Sequence, residues 1–270
     1  MIDFDNPETY PQEIMDWVKS NEDYFMQTLS RYDYSEGWEV SYIVDDLHLA
    51  DNDFVRKFVR ENKELDILVW HATRIENTDS FWKKGIRVVQ GLNSDTEKEY
   101  RALLQRMGFN KNQEDEVIKK TSYYWMRDAA SRIDTVHFFY DKDFINDPQL
   151  NEFAINLGGE CLRWGINGID AQLYRQEPYK RLWIVGKPCI IQFECKLKEL
   201  SEISQYDVVT ELIKYFVIYD ICHLNYEMRV TGWKYGCVTP DHIRAIEVIP
   251  GFIECQEQFE EYQNFYDELK

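Results

Sequence analysis

Residues Asp66–Ile67–Leu68–Val69–Trp70–His71–Ala72–Thr73 read as a compact apolar strand that runs out into polar side chains. A strand ending in His-Ala-Thr sets His71 and Thr73 at the rim of a sheet. Downstream, Thr78 or Asp79 can cap a short helix that Gly85 terminates, and 86–89 has the character of a following strand. The chain therefore leaves the sheet, turns through one short helix and comes back.

Working outward, apolar residues at near-helical spacing (Ile14, Trp17, Val18, Phe25, Leu29) predict a helix over 11–30. Residues 38–43 alternate like a strand, and 53–62 is a charged helix with Phe54, Val55, Phe58 and Val59 on one face. Helices over 96–108 and 113–131 form a hairpin, followed by a strand at 135–140 and a helix at 147–165. Strands at 181–185 and 189–197 flank a Gly186–Lys187–Pro188 turn. An apolar helix covers 206–224, strands cover 226–231 and 244–249 around a turn at 239–243, and a last helix covers 256–269. Strands come separately rather than in regular βαβ alternation, which is an α+β order.

Composition bounds the function. The chain has 270 residues, 15% aromatic, and 31 Lys and Arg against 49 Asp and Glu, for a formal charge of −18. So acidic a surface repels DNA, RNA and anionic lipid at long range, and it suits a small anion in a closed pocket or a basic protein partner. The six cysteines include no C-x-x-C pair and read as reduced, mostly buried thiols. The polar Met1–Pro11 start does not read as a signal peptide, and no apolar run has membrane-spanning length, so a cytoplasmic protein is expected. No metal-ligand spacing, G-x-G-x-x-G, P-loop or G-x-S-x-G element occurs, so no metal is called for.

Two segments carry chemistry. The first is Trp70–His71–Ala72–Thr73, then Ser80–Phe81–Trp82–Lys83–Lys84–Gly85–Ile86. The second is Asn225–Tyr226–Glu227–Met228–Arg229–Val230, then Val238–Thr239–Pro240–Asp241–His242–Ile243. Read alone, His71 could be a strand histidine satisfied by backbone, and Glu227 an exposed carboxylate paired with Arg229 or Lys234.

In this order the two segments resemble the motifs of the ADP-ribosyltransferase superfamily, in its His–Tyr–Glu-like class. There a strand-borne His precedes a small residue and a Thr or Ser, and the catalytic Glu opens a late strand. The resemblance spans about 66–250. It implies two small, mainly antiparallel sheets packed face to face with added helices, and NAD, the substrate, in the cleft between them. Residues 1–62 would be an extension packed on the core, 63–253 the core with a helical insertion at 92–131, and 254–270 an acidic helix. His71, Ala72 and Thr73 would hold NAD, and Tyr140 would stack on nicotinamide, with Tyr123, Tyr124 and Phe139 as alternatives. Glu227 would orient the ribose 2′-hydroxyl and stabilise the cation left as nicotinamide departs. Glu160, beside Gly158–Gly159, is either an acceptor-positioning carboxylate or a surface residue of its helix.

The resemblance implies transfer of ADP-ribose to a macromolecule, protein or nucleic acid, by the toxin of a toxin–antitoxin or phage-defence system with an antitoxin partner. NAD hydrolysis and a non-catalytic protein-interaction module on the same fold are the alternatives. Basic residues and aromatics interleave between Tyr100 and Arg132, which reads either as a track for an unpaired strand or, preferably, as the two faces of the helical hairpin.

Overall fold

Asp66–Ile75 forms β2, the strand around which the sheet is built, and Ile67, Leu68, Val69 and Trp70 are all buried. Consecutive buried residues mean that both faces of this stretch are covered, as for a central strand. In the computed structural model, the described residues are 1–75, 77–88, 91–127, 132–142, 165–166, 187–228 and 230–249.

The architecture is α+β. One six-stranded sheet runs in the order β5 (Thr231–Tyr235), β3 (Thr135–Phe139), β2, β4 (Lys187–Lys196), β6 (Ile243–Val248), and β1 (Ile2–Asp3) joins β2. β3 pairs antiparallel with β2, Trp70 opposite Phe139, whereas β1 runs parallel to it, Ile2 opposite Ile67. Two sheets face to face were the expectation; among the described residues there is a single open one. The expected helix at 147–165, apart from its last residue, and the strand at 181–185 lie outside the described residues, as do Glu160 and the helix at 256–269.

The chain divides into two units, the first being Met1–His71, Val136–Phe144 and Gln192–Val238. Its centre is α8 (Glu202–Phe216), which packs against α1 (Gln12–Ser20), α4 (Asp53–Glu61) and β5. Ser201 starts α8 by accepting the Ser204 N–H on its Oγ at 3.1 Å. Residues 1–62 are thus part of the packing around this central helix, and they also contribute β1. The single helix expected over 11–30 is two, α1 and α2 (Glu22–Leu29), because Asn21 caps the first and its Nδ2 donates to the Trp17 carbonyl at 2.7 Å.

One expected strand is a helix. Residues 38–43 lie within α3 (Gly37–Asp45), entered through a capping box in which Glu39 accepts the backbone N–H of Ser35 and Glu36. Trp38, Val40, Tyr42 and Val44 alternate, but the buried pair is Val40 and Val44, one helical turn apart. Trp38 and Tyr42 pack on each other outside, 60% and 66% exposed.

The second unit comprises Ala72–Thr135, Ile145–Ile191 and Thr239–Lys270. It holds the short helix α5 (Asp79–Lys84), closed by Gly85 in the left-handed region (φ 71°), and the expected hairpin of α6 (Ser94–Arg106) and α7 (Lys111–Arg127). The cap of α5 comes from Asn77, whose Oδ1 accepts the Asp79 N–H at 2.8 Å, rather than from Thr78 or Asp79. Residues 86–88 form no strand of their own. Of the described cysteines, Cys189 and Cys195 are buried, Cys222 is half-buried and Cys237 is exposed. Among the described residues, no helix is long and apolar enough to cross a membrane.

Candidate functional site

His71 is half-buried, and its Nδ1 lies 2.8 Å from the backbone oxygen of His137 on β3. A carbonyl can only accept, so Nδ1 carries the proton and Nε2 of the neutral ring presents a lone pair. That Nε2 has no hydrogen-bond partner among the described residues. Burial lowers the imidazole pKa, and the His137 carbonyl only partly counters it. The ring is thus a fixed, uncharged acceptor suited to a hydroxyl. The neighbouring indole is pinned too: Trp70 Nε1 donates to Asp5 Oδ2 at 2.7 Å, and Lys142 Nζ lies 5.4 Å over the ring. Ala72 and Thr73 continue β2 and are half-buried.

Tyr140 sits elsewhere in chemical terms. It is 1% exposed, with ring centroids 4.8 Å from Phe4 and 5.3 Å from Phe138, and its hydroxyl donates to the Ser204 carbonyl at 3.1 Å. Gly232 on β5 makes room for it, since a Cβ there would crowd both the Phe138 ring and the Tyr140 hydroxyl. This is a core tyrosine with no face left for a ligand, and the site is drawn without it. Of its alternatives, Phe139 is buried as well, whereas Tyr124 is half-buried and Tyr123 is exposed and lies under Arg127.

Glu227 belongs to the first unit with His71, but the segment carrying it is not the expected strand: 223–228 is irregular, and β5 begins only at Thr231. α8 runs on through a π-helical turn, Val217–Ile221, and His223 then takes a left-handed conformation (φ 55°). The Leu224 N–H donates to the Ile218 carbonyl at 3.0 Å, so the loop folds back along its own helix. Glu227 is exposed between half-buried Tyr226 and buried Met228.

Beneath that loop lies a buried polar chain that the sequence reading did not single out. Glu211 and Lys214 are only 2% and 6% exposed. Lys214 Nζ donates to Glu211 Oε1 and to Asp45 Oδ1, each at 2.6 Å, and the Tyr226 hydroxyl donates to Glu211 Oε2 at 2.5 Å. Ser41 Oγ lies 3.4 Å from the same hydroxyl. Burial works against the Lys214 ammonium, yet Glu211 and Asp45 outweigh it and raise its pKa. Burial pushes the Glu211 carboxyl up, with Lys214 and Tyr226 pulling it back. Asp207, one turn before Glu211, is pushed up to about 6 by burial and by the Glu211 charge. A signal for this chain was present: Asp207, Glu211 and Lys214 recur at i, i+4 and i+7 in a helix otherwise read as apolar.

Three of the basic residues between Tyr100 and Arg132 are paired with carboxylates. Arg101 contacts Glu97 at 2.8 Å and Asp115 at 2.6 Å, Lys111 contacts Asp115 at 3.2 Å, and Lys120 contacts Glu116 at 3.1 Å. Tyr100 and Phe109 are buried in the hairpin core. The burial of Tyr100 and Phe109 is that of the inner faces of a helical pair, whereas Tyr123 is exposed.

Within the second unit, α5 packs against the 3-10 turn Pro240–His242, so the segments that follow the two motifs meet there. Compared with models of known protein families, with curated proteins and with solved structures, the chain matches none.

Proposed function

We propose that this chain is an ADP-ribosyltransferase that cleaves the nicotinamide–ribose bond of NAD and passes ADP-ribose to a macromolecular acceptor. The observation that carries this reading is His71, a neutral imidazole locked at Nδ1 with Nε2 open on the central strand. Such a ring accepts a hydrogen bond from a ribose hydroxyl without titrating near neutrality. Within the second unit, the approach of α5 to the Pro240–His242 turn is consistent with the reading, since these are the segments that follow the two motifs. Glu227 supplies a carboxylate for the oxocarbenium-like cation, a charge present only in the transition state. The reading rests on these segments, not on sheet count, since one sheet stands where the resemblance implies two. The formal charge of −18, with Arg101, Lys111 and Lys120 paired to carboxylates, favours a protein acceptor over nucleic acid.

The test is release of nicotinamide from labelled NAD, with pools of cell protein, RNA and DNA offered as acceptors. Label in the protein pool is the expected result, and Glu227→Gln is expected to lower release by about 100-fold or more without changing thermal unfolding. Free ADP-ribose as sole product makes the enzyme a hydrolase, and absence of nicotinamide release overturns the proposal. A second reading, a protein-interaction module, is favoured by the exposed Trp38–Tyr42 pair on α3, beside Glu36, Glu39, Asp45 and Asp46. It predicts that Glu227→Gln leaves biological activity intact.

A further inference from the structure

We infer that Tyr226, held from below by the buried Asp45–Lys214–Glu211 chain, is a positioning residue that fixes where Glu227 stands. The inference rests on the transferase reading of Glu227 and extends it inward from that residue.

Beyond the Leu224 N–H bond to the Ile218 carbonyl, residues 223–228 belong to no strand or helix, so other contacts must set their path. Three anchors do so. Gly37, the first residue of α3, lies directly against the Asn225 carbonyl, so closely that a Cβ would overlap it and touch Ile218. Tyr226 bonds to Glu211 at 2.5 Å. Met228 is buried. Glu227 is therefore bracketed by two held neighbours while its own side chain reaches the surface.

The chain below is ordered end to end. Asp45, on α3 and half-exposed, binds Lys214, Lys214 binds Glu211 on the same helix, and Glu211 binds the tyrosine. Each Glu211 oxygen accepts from one partner, which leaves the carboxylate little freedom to rotate and gives the phenol a single acceptor geometry. Buried ion pairs are a poor route to stability, since apolar residues of similar volume do as well or better. What such a chain supplies that apolar packing does not is direction: a short, charge-assisted bond that holds one hydroxyl in one place. A catalytic carboxylate needs that, because misplacement by about 1 Å can cost on the order of 100-fold in rate.

The test compares wild type, Tyr226→Phe and Gly37→Ala as full chains, measuring nicotinamide release from NAD and amide hydrogen exchange over 223–228. Tyr226→Phe keeps the ring and removes the hydroxyl's bond to Glu211 and its contact with Ser41, and Gly37→Ala forces α3 and the Asn225 backbone apart by a steric route that removes no polar group. Both are expected to lower kcat about tenfold or more with KM within about twofold. Exchange at the Leu224 amide, bonded to the Ile218 carbonyl, is expected to accelerate while β3 stays protected. Wild-type kcat in either folded variant, or exchange that accelerates equally through β3 and α8, overturns the inference and leaves the transferase reading standing. No nicotinamide release from wild type removes both.

Discussion

The central helix α8 buries both members of an ion pair, whereas the α6–α7 hairpin buries one carboxylate, Glu114, and keeps most of its charges outside. In the hairpin the interior is mostly apolar, with Tyr100, Leu103, Leu104, Met107, Phe109, Val117 and Ile118 in one cluster, and the buried polar side chains of α7 are Glu114, 3.9 Å from Arg101, and Thr121. Its ion pairs, such as Lys111–Asp115 and Lys120–Glu116, lie on the surface. In α8 the surface and interior roles are mixed: Val208, Val209, Leu212 and Ile213 share the interior with Glu211 and Lys214. Surface pairs of the hairpin kind contribute little, about 0–1 kcal/mol. Burying a charge costs several kcal/mol and is tolerated only when a partner is fixed beside it. The hairpin is built as a packing element, and α8 as a scaffold for a polar bond directed at the 223–228 loop.

Three substitutions sharpen or break that contrast. The largest effect is expected for Lys214→Met, which strands the Glu211 carboxylate in the interior. A loss of about 3–5 kcal/mol is expected in urea unfolding, and Lys214→Met combined with Glu211→Gln is expected to recover much of it. A loss below about 1 kcal/mol in the single variant would place the pair among ordinary surface bridges and end the contrast. Next is Leu104→Ala, a deletion at a fully buried position of the hairpin, with an expected loss of about 3 kcal/mol. Because that core holds no part of the proposed site, any NAD turnover is expected to persist in the folded variant.

The smallest effect carries a sign that depends on pH. The folded-state pKa of Asp207 is raised to about 6 from an ordinary 3.8, chiefly by burial. Between those values the folded chain holds a proton that the unfolded chain has released, so this group withdraws stability as pH rises. Asp207→Asn imitates the protonated acid. Its stability advantage over wild type is expected to be near zero at pH 4 and to grow to about 1 kcal/mol by pH 7, a modest figure because the site is only half-buried. Melting curves at the two pH values decide it, and an advantage that shrinks with rising pH reverses the argument.

Long periodic segments were legible in the sequence. The hairpin helices, the amphipathic helix with Val55, Phe58 and Val59, and the apolar β2 stretch stand where spacing put them. Residues 38–43 did not, because alternation and a one-turn repeat both place Val40 and Val44 together, and the choice went to the capping carboxylate of Glu39. The 226–231 strand failed for another reason. Tyr226 and Met228 are held inward by α8 and by burial, which is an alternation imposed by anchoring and not by a ladder. Tyr140 follows its strand, which ends at Phe139, yet whether its ring faced a ligand or the core depended on Gly232, a residue 92 positions away by the numbering.

The linear order of residues was enough to establish an α+β chain, a histidine where β2 turns polar, and a carboxylate late in the chain. Those are local properties: side-chain period, capping chemistry and composition act over a few residues. Which tyrosine is core, that Glu211 and Lys214 neutralise one another inside, and what braces the loop around Glu227 were decided by tertiary packing alone. Burial and partner distance are long-range quantities, and a charged residue on an apolar helix has the same local spacing whether it meets water or an opposite charge.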